Sequence, residues 1–524
     1  MNVVELLEAR AKANPTKPAI IFKDQPITFG RLKEVTFRLT AHLINLGIKK
    51  GDKIAVYLPN WPEYIYSYLA IWCCGATAVP LDFMLTQDEL VSCIFHSEAA
   101  ILIAKPKANI SLSELQKECP ALKKILICGE KNENKSKAGN FLMLEELLEN
   151  GLVYSPQVKI QEKDYAIIFY TSGTTGKPKG VLVNYLQLDA PPKAIKYFVE
   201  DITEKDTIIS ALPFSHLGGL ICIQVCLAFN LTVVLMERFL PAEFLRNIQH
   251  YKVNWFWLVP SMYYAFLQLK EFETYDLSSL RWLDIFGAPS SSEAMRRFHQ
   301  HCPQANLFHG WGLTETNAPT TVIPTGSQRI ESVGRPAPWI EVKVVSAEGR
   351  SASGGDENDV ELPQGEIGEI VVRGWVVTDG YFKDPAQTAE VMRGGWFHTG
   401  DLGRFDQEGY LYIVGRKKEI IKVSGEIDFE PEVEAAIHKH PDVAEAAVIG
   451  IPDKLRGEVP KAFVVLRKET NLSEEELRYF LRQHLAHFKI PHYFKFSEML
   501  PKNRVGKIDK EKLRQEYLEI EKIN

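Results

Sequence analysis

Short apolar runs alternate with longer stretches of helical period through the first two thirds of the chain. "PAIIF" at 18–22 gives way to "RLKEVTFRLTAHLINLG", then "KIAVYL", "EYIYSYLAIWCCG" and "ATAVPL". Apolar runs of this length read as buried strands, and the amphipathic stretches read as helices that cover them. Their alternation predicts an α/β fold with largely parallel sheets to about Gly334. From Val342 to Ile413 the pattern changes to "EVKVV", "EIVVRG" and "YLYIV", separated by Gly-rich turns with no long helix, which predicts a small β-barrel-like unit over about 336–415. The polar, Gly-rich stretch "SAEGRSASGGDENDVELPQGE" within it is expected to be an exposed, mobile loop. After "VGRKKEIIKVSGE" the alternation resumes with "PEVEAAIHKH", "VAEAAVIGI", "KAFVVL" and "EEELRYFLRQHL". The expected organisation is a large N-terminal domain over 1–415, with two mainly parallel αβ sheets plus the β unit, and a small α+β C-terminal domain over 416–524. Arg416, Lys417 and Lys418 at the junction read as an exposed linker.

One segment imitates a membrane span. "LGGLICIQVCLAFNLTVVLM", Leu217 to Met236, is uncharged and long enough to cross a bilayer. Its interior Gln224 and Asn230 favour a buried helix to about Phe229, a turn at Asn230 and a buried strand ending at Glu237. No transmembrane segment is expected, and the N-terminus "MNVVELLEARAKANP" lacks the apolar core and cleavage site of a signal peptide. The net charge of −6 gives no global attraction to nucleic acid or anionic lipid, so any anion site must be built from local positive charge. Nucleic acid is therefore not an expected partner. Eight cysteines without a CxxC pair predict reduced, buried thiols and a cytoplasmic location.

Local positive charge is concentrated in "YTSGTTGKPKG", Tyr170 to Gly180, which joins the apolar runs "YAIIFY" and "GVLVNY". Hydroxyls and bare amides donate hydrogen bonds, glycines admit a close ligand and lysines add charge, so this loop suits a polyphosphate. It is not a P-loop: only two residues separate Gly173 from Gly176, and Pro178, which lacks an amide and keeps Lys177 extended, disfavours a helix start. A P-loop NTPase is opposed on those grounds.

Three further pieces follow in order: "GWGLTET" at 310–316, "WFHTGDLG" through "GRKKEIIKVSGE" at 396–426, and "PKNRVGKID" at 501–509. With the loop they resemble, across essentially the whole chain, the adenylate-forming family of acyl-CoA synthetases, firefly-type luciferases and peptide-synthetase adenylation domains. The resemblance implies attack of a carboxylate on the α-phosphate of ATP, giving an acyl-adenylate and pyrophosphate, then displacement of AMP by a thiol, with ATP, Mg2+ and CoA as the cofactors.

The resemblance also implies roles for individual residues. Thr171, Ser172, Gly173, Thr174, Thr175 and Gly176 would hold the β- and γ-phosphates, with Lys179 adding charge. Trp311, between Gly310 and Gly312, would stack on adenine, and Thr314 would touch phosphate. Glu315, with Thr171, would hold magnesium. Gly287, Ala288 and Pro289 would line the other side of the adenine, while Asp401 and Arg416 would bind the ribose. Taken alone, Trp311 reads as a core aromatic, Asp401 as a former of an Asx-turn, and Lys507 as a surface lysine among Lys502, Arg504 and Lys510. The family instead gives Lys507 the point where carboxylate meets α-phosphate. Glu419 stands at the position of the family's hinge residue, commonly Asp or Lys, about which the mobile C-terminal domain swings; Gly425 would then border the CoA tunnel, where a side chain would leave no room.

The acyl site is expected from "PFSHLGG", "NWFWLVPSMYY" and the glycines around Trp311. His216 resembles the family's histidine beside the acyl carboxylate; its ordinary reading is a satisfied core histidine. Ser215 stands where amino-acid-activating relatives place an Asp, and a buried ammonium without a partner is costly. With Gly218 and Gly219 leaving space in the pocket floor and Trp255, Phe256 and Trp257 around it, an uncharged aliphatic, alicyclic or aromatic acid fits. The expected function is an AMP-forming carboxylate-CoA ligase, its partners the acid and CoA, with a homodimer open to it. The alternatives are a stand-alone adenylating enzyme that loads a carrier protein and a catalytically silent nucleotide-binding regulator.

Overall fold

The computed structural model describes residues 2–129, 140–171, 179–199, 201–286, 292–327, 329, 331–346, 360–423, 426–453, 455–467, 470–502 and 508–523. Two large sheets dominate it. The seven-stranded one is built on the parallel strands Lys53–Tyr57, Thr77–Pro80, Ile101–Ala104 and Lys124–Ile127, and the antiparallel pair Tyr165–Thr171 and Lys179–Asn184 closes one edge. The nine-stranded one carries the parallel strands Pro18–Phe22, Thr207–Ser210, Thr232–Leu235, Trp255–Leu258, Trp282–Ile285 and Asn306–Trp311. Strands with apolar residues on both faces need cover on both sides, and the chain provides it. Helices Phe29–Asn45, Pro62–Cys73 and Leu217–Phe229 share one core with both sheets, in which Ile54, Phe169, Ile208 and Val233 all take part. Helices Pro241–Tyr251, Pro260–Leu267 and Ser292–Gln300 cover the far face of the nine-stranded sheet, and Gln87–Ser97 and Leu112–Glu118 cover that of the seven-stranded one. The result is an αβαβα stack, the α/β architecture that the alternation predicts.

The segment that imitates a membrane span folds as expected. Leu217–Phe229 is a helix, Asn230 terminates it in the left-handed conformation at φ +61°, and Thr232–Leu235 is a fully buried strand. Among the described residues no helix is long and apolar enough to cross a membrane. All eight cysteines are free and buried, which agrees with the reading of reduced thiols.

The β-rich unit is an antiparallel five-stranded sheet in which Trp396–Phe405 pairs with Gly368–Gly374 on one side and Leu411–Arg416 on the other. Its Gly-rich loop lies mostly outside the described residues. A fourth sheet follows, made of Ile420–Val423, Glu426–Phe429, Val443–Asp453, Gly457–Leu466 and Tyr493–Phe496, with helices Glu430–His438 and Glu474–Arg482 against it.

Asp284, in the nine-stranded sheet, is a carboxyl in an apolar layer. It is 4% exposed; Trp255 Nε1 donates to its Oδ2 at 2.9 Å, and its Oδ1 has no hydrogen-bond partner. Burial pushes its pKa from 3.8 to about 8, against a smaller opposing effect of the Trp255 bond. An acid whose folded value is raised folds without penalty below its unfolded value and loses stability as pH climbs from about 4 towards 8. Asp284→Asn is therefore expected to raise unfolding stability at pH 7 by about 2 kcal/mol and to flatten its decline over that window. Urea melts at pH 5 and pH 8 check this; a variant less stable than the parent at pH 8 would contradict it.

Candidate active site

The anion-loop segment hangs from a β-hairpin. Thr171 ends one strand, Lys179 begins the next, and the two residues stand opposite each other in the ladder. Ser172, Gly173, Thr174, Thr175 and Gly176, which connect them, lie outside the described residues. Lys179 Nζ donates to Gln387 Oε1 at 2.8 Å and sits 5.4 Å above the ring of Tyr381. Tyr381 bridges to the backbone of Val181, and its hydroxyl donates to Glu315 Oε1 at 3.1 Å. One aromatic side chain thus links the hairpin to the acid that follows Trp311.

Glu315 lies in a single turn, Thr314–Thr316, just after the strand Asn306–Trp311, and Thr378 N donates to its carbonyl at 2.7 Å. Burial raises its carboxyl above the usual range, the Tyr381 hydroxyl and the Arg416 charge pull it down, and Asp401 adds to the rise. Thr314, one residue earlier, is half-buried in the same turn.

Trp311 is 9% exposed and donates from Nε1 to Asp401 Oδ2 at 2.9 Å, so both the core reading and an anchoring role apply to it. Asp401 Oδ1 meets Arg416 Nε at 2.9 Å, across a strand pair in which the two residues are direct neighbours. Burial raises the Asp401 carboxyl, while Arg416 and Trp311 lower it; Asp401 is in turn the main reason the Arg416 guanidinium is held more firmly protonated. Two sequence readings change here. Asp401 is not in an Asx-turn but inside a ten-residue strand, preceded by Gly400 at φ +71°, a conformation that favours glycine. Arg416 is exposed but is no linker residue: it ends a strand and is paired, and Lys417 Nζ reaches Glu369 at 3.0 Å.

Gly310 and Gly312 flank Trp311 for steric reasons. A Cβ on Gly310 would lie 2.4 Å from Thr321 O and 2.5 Å from the Phe286 ring, and one on Gly312 would lie 3.0 Å from Ala318 O. Gly287, Ala288 and Pro289 follow Phe286 directly and, like Gly425 and Lys507, lie outside the described residues. The described segments that bracket Lys507 meet at a bridge between Lys502 and Ile508.

His216 stands at the start of the buried helix Leu217–Phe229. Its Nε2 is 3.6 Å from Asp82 Oδ2, beyond hydrogen-bond range, and has no hydrogen-bond partner, so it is not the satisfied core histidine of the ordinary reading. Asn60 and Tyr68 position the preceding turn: Asn60 donates to Leu212 O at 2.7 Å and accepts from Phe214 N at 3.0 Å, while the Tyr68 hydroxyl donates to Phe214 O at 2.8 Å. Trp257 Nε1 donates to Gly218 O at 2.6 Å. Trp255 and Trp257 face the core between the two sheets, whereas strand alternation turns Phe256 into the outer core with Phe244 and Phe266. Gly219 serves backbone contact rather than pocket space, since a Cβ there would lie 2.2 Å from Pro213 O.

Tyr381, Gln387, Asn60 and Tyr68 were missed by sequence reasoning. Their partners are distant in sequence, and none carries a motif that would single it out. The described group, a lysine, an arginine and two partly desolvated carboxyls, has the charge pattern of a site for a magnesium-bound nucleotide. No cluster of three ligating side chains occurs among the described residues.

Comparison with known proteins agrees. The family described as AMP-binding enzyme matches residues 7–382, and its C-terminal domain matches 432–507. A long-chain-fatty-acid–CoA ligase of Bacillus subtilis (strain 168) is 32% identical over 98% of this chain and 94% of its own. The crystal structure of an anthranilate CoA ligase with anthranoyl-AMP superposes with a TM-score of 0.88 at 25% identity, covering 98% of this chain and 97% of that one. An o-succinylbenzoate coenzyme A synthetase from Bacillus subtilis, solved with ATP and magnesium ion, superposes at 0.81 with 28% identity over 97% and 99% of the two chains. The chain therefore belongs to the adenylate-forming family of AMP-binding enzymes, and it is an enzyme of the acyl-CoA synthetase kind.

Proposed function

We propose that this protein activates an uncharged, largely apolar carboxylic acid with ATP and passes the acyl group to CoA. The reaction class is that of an AMP-forming acid–thiol ligase. The observation that carries the reading is the continuous set of contacts from Lys179 through Tyr381 to Glu315, flanked by the Trp311–Asp401–Arg416 group. It supplies cations for phosphates and acceptors for sugar hydroxyls on one connected framework.

In this reading Lys179 and the amides and hydroxyls from Thr171 to Gly176 hold the β- and γ-phosphates. Asp401 accepts from the ribose hydroxyls, and Arg416 donates to them. Trp311, Gly310 and Gly312, with Gly287, Ala288 and Pro289, form the adenine slot, and Thr314 touches phosphate. Glu315 and Thr171 hold magnesium, which when bound offsets phosphate charge; burial that raises the Glu315 carboxyl makes a cation there the more favourable. His216 orients the acyl carboxylate from the helix start, and Lys507 balances charge as that carboxylate meets the α-phosphate. A swing of the 416–524 domain near Glu419 then brings Gly425 to the CoA arm. Ser215, 5% exposed, offers no carboxylate for an ammonium, which supports an acid without an amine there. Eight buried thiols fit a reducing cytoplasm.

Incubation with ATP, magnesium, CoA and a panel of fatty, alicyclic and aromatic acids is expected to release AMP and thioester in equal amounts with at least one of them. ADP and phosphate as products would end the reading. Adenylate formed without use of free CoA would move it to a carrier-loading enzyme, and no acid-dependent pyrophosphate exchange would leave a silent nucleotide binder.

A further inference from the structure

Behind the Asp401–Arg416 pair lies one more acid, 4% exposed, with two independent attachments. Glu369 is the second residue of the strand Gly368–Gly374 and pairs with Leu402 in the ladder. Its Oε1 accepts from the amide of Gly400, the residue before Asp401, at 3.2 Å. Its Oε2 accepts from Lys417 Nζ, the residue after Arg416, at 3.0 Å. His398 Nδ1 and Arg393 Nη2 stand 3.5 and 3.6 Å from the same oxygen. The Gly400 amide and the Lys417 ammonium bind opposite oxygens of this one desolvated carboxylate, which ties the two residues to a common point.

We infer that Glu369 is a positioning residue for the nucleotide's sugar: one carboxylate fixes Gly400 and Lys417, and so aligns Asp401 and Arg416 as a preformed grip on the ribose diol. This rests on the assignment of Asp401 and Arg416 to the ribose. The anchor is insensitive to ordinary pH. Burial opposes ionisation of Glu369, but His398 and Lys417 outweigh it and bring the carboxyl down to about 2, so the grip weakens only as pH falls towards that value.

The test compares ATP with 2′-deoxy-ATP in acid-dependent pyrophosphate exchange, using an acid the enzyme accepts. Asp401→Ala is expected to remove most of the preference for ATP. Glu369→Gln keeps the shape but loses the charge, and Lys417→Ala cuts one attachment at a half-exposed side chain that the fold tolerates. Each is expected to raise the KM for ATP about tenfold, the loss of one charge-assisted hydrogen bond, with kcat changed less than about threefold and the ATP preference reduced several-fold. A merely structural role would lower kcat or stability and leave the nucleotide preference intact. If Asp401→Ala loses the preference while folded Glu369→Gln and Lys417→Ala keep it, the inference falls and the ribose assignment stands. If Asp401→Ala keeps it, the ribose assignment falls and takes the inference with it.

Discussion

Lys507→Ala is expected to slow adenylate formation by about 10² to 10³-fold, while thioester formation from supplied adenylate changes by less than about tenfold. Lys502 is committed to Glu445 at 2.7 Å, and Lys510 is committed to Glu430 and Glu434 at 2.9 and 2.7 Å. Neither is available to a substrate. The described residues on either side of Lys507 are joined by a bridge between Lys502 and Ile508, with Asp509 N donating to Pro501 O at 2.8 Å. Bringing a carboxylate to a triphosphate joins two anions, and a single well-placed ammonium offsets charge that is greatest in the transition state, a contribution of about 3–4 kcal/mol when it is removed. Single-turnover measurement of the two half-reactions decides the matter. Equal losses in both would remove the role from Lys507.

Much of the fold can be read from the sequence because its signals are local. The change from short continuous apolar runs to helical period marks buried strands and helices of the two large sheets, and Asn230 splits one apolar run into helix and strand because it tolerates the left-handed conformation. The strand Trp396–Phe405 is harder to read. Thr399, Gly400 and Gly403 look like a turn, but the ladder absorbs them through a register shift at Leu402 and Gly403, and the apolar alternation is broken just where Asp401 must be buried. The site itself is legible only through its motifs. Lys179, Glu315, Asp401 and Arg416 stand in recognisable strings, whereas Tyr381, which joins two of them, meets Glu315 across 66 positions and sits in a segment with no pattern of its own. Contacts of that range are set by how sheets stack, and no window of sequence contains them. Phe256 differs, since the alternation of the strand alone turns it away from the core that Trp255 and Trp257 face.

Lys510→Met is expected to cost about 3–5 kcal/mol of unfolding stability, the penalty for leaving buried acids without their cation. Glu430 is 1% exposed, and the side chains of Lys510 and Glu434 are each 17% exposed. Burial disfavours the charged lysine, but Glu434 and Glu430 outweigh it and hold the ammonium well above its ordinary value. Glu434 is itself pushed up by burial and pulled back by Lys510. A lysine raised in the folded state contributes in full below its unfolded value of about 10.4, and removing it leaves burial of Glu434 unopposed and its carboxyl pushed further up, so the deficit should grow as pH rises from about 6 to about 9. Arg514 also reaches Glu430, at 2.6 Å, which leaves Glu434 as the acid most exposed to the change. The double variant Lys510→Met, Glu434→Gln should therefore recover part of the loss. Urea melts measure both, and a single-variant loss below about 1 kcal/mol would mean that water already reaches these acids. The two lysines, three residues apart, should thus separate cleanly: removing Lys510 weakens the fold and spares the ratio of the half-reactions in the folded fraction, while removing Lys507 does the reverse.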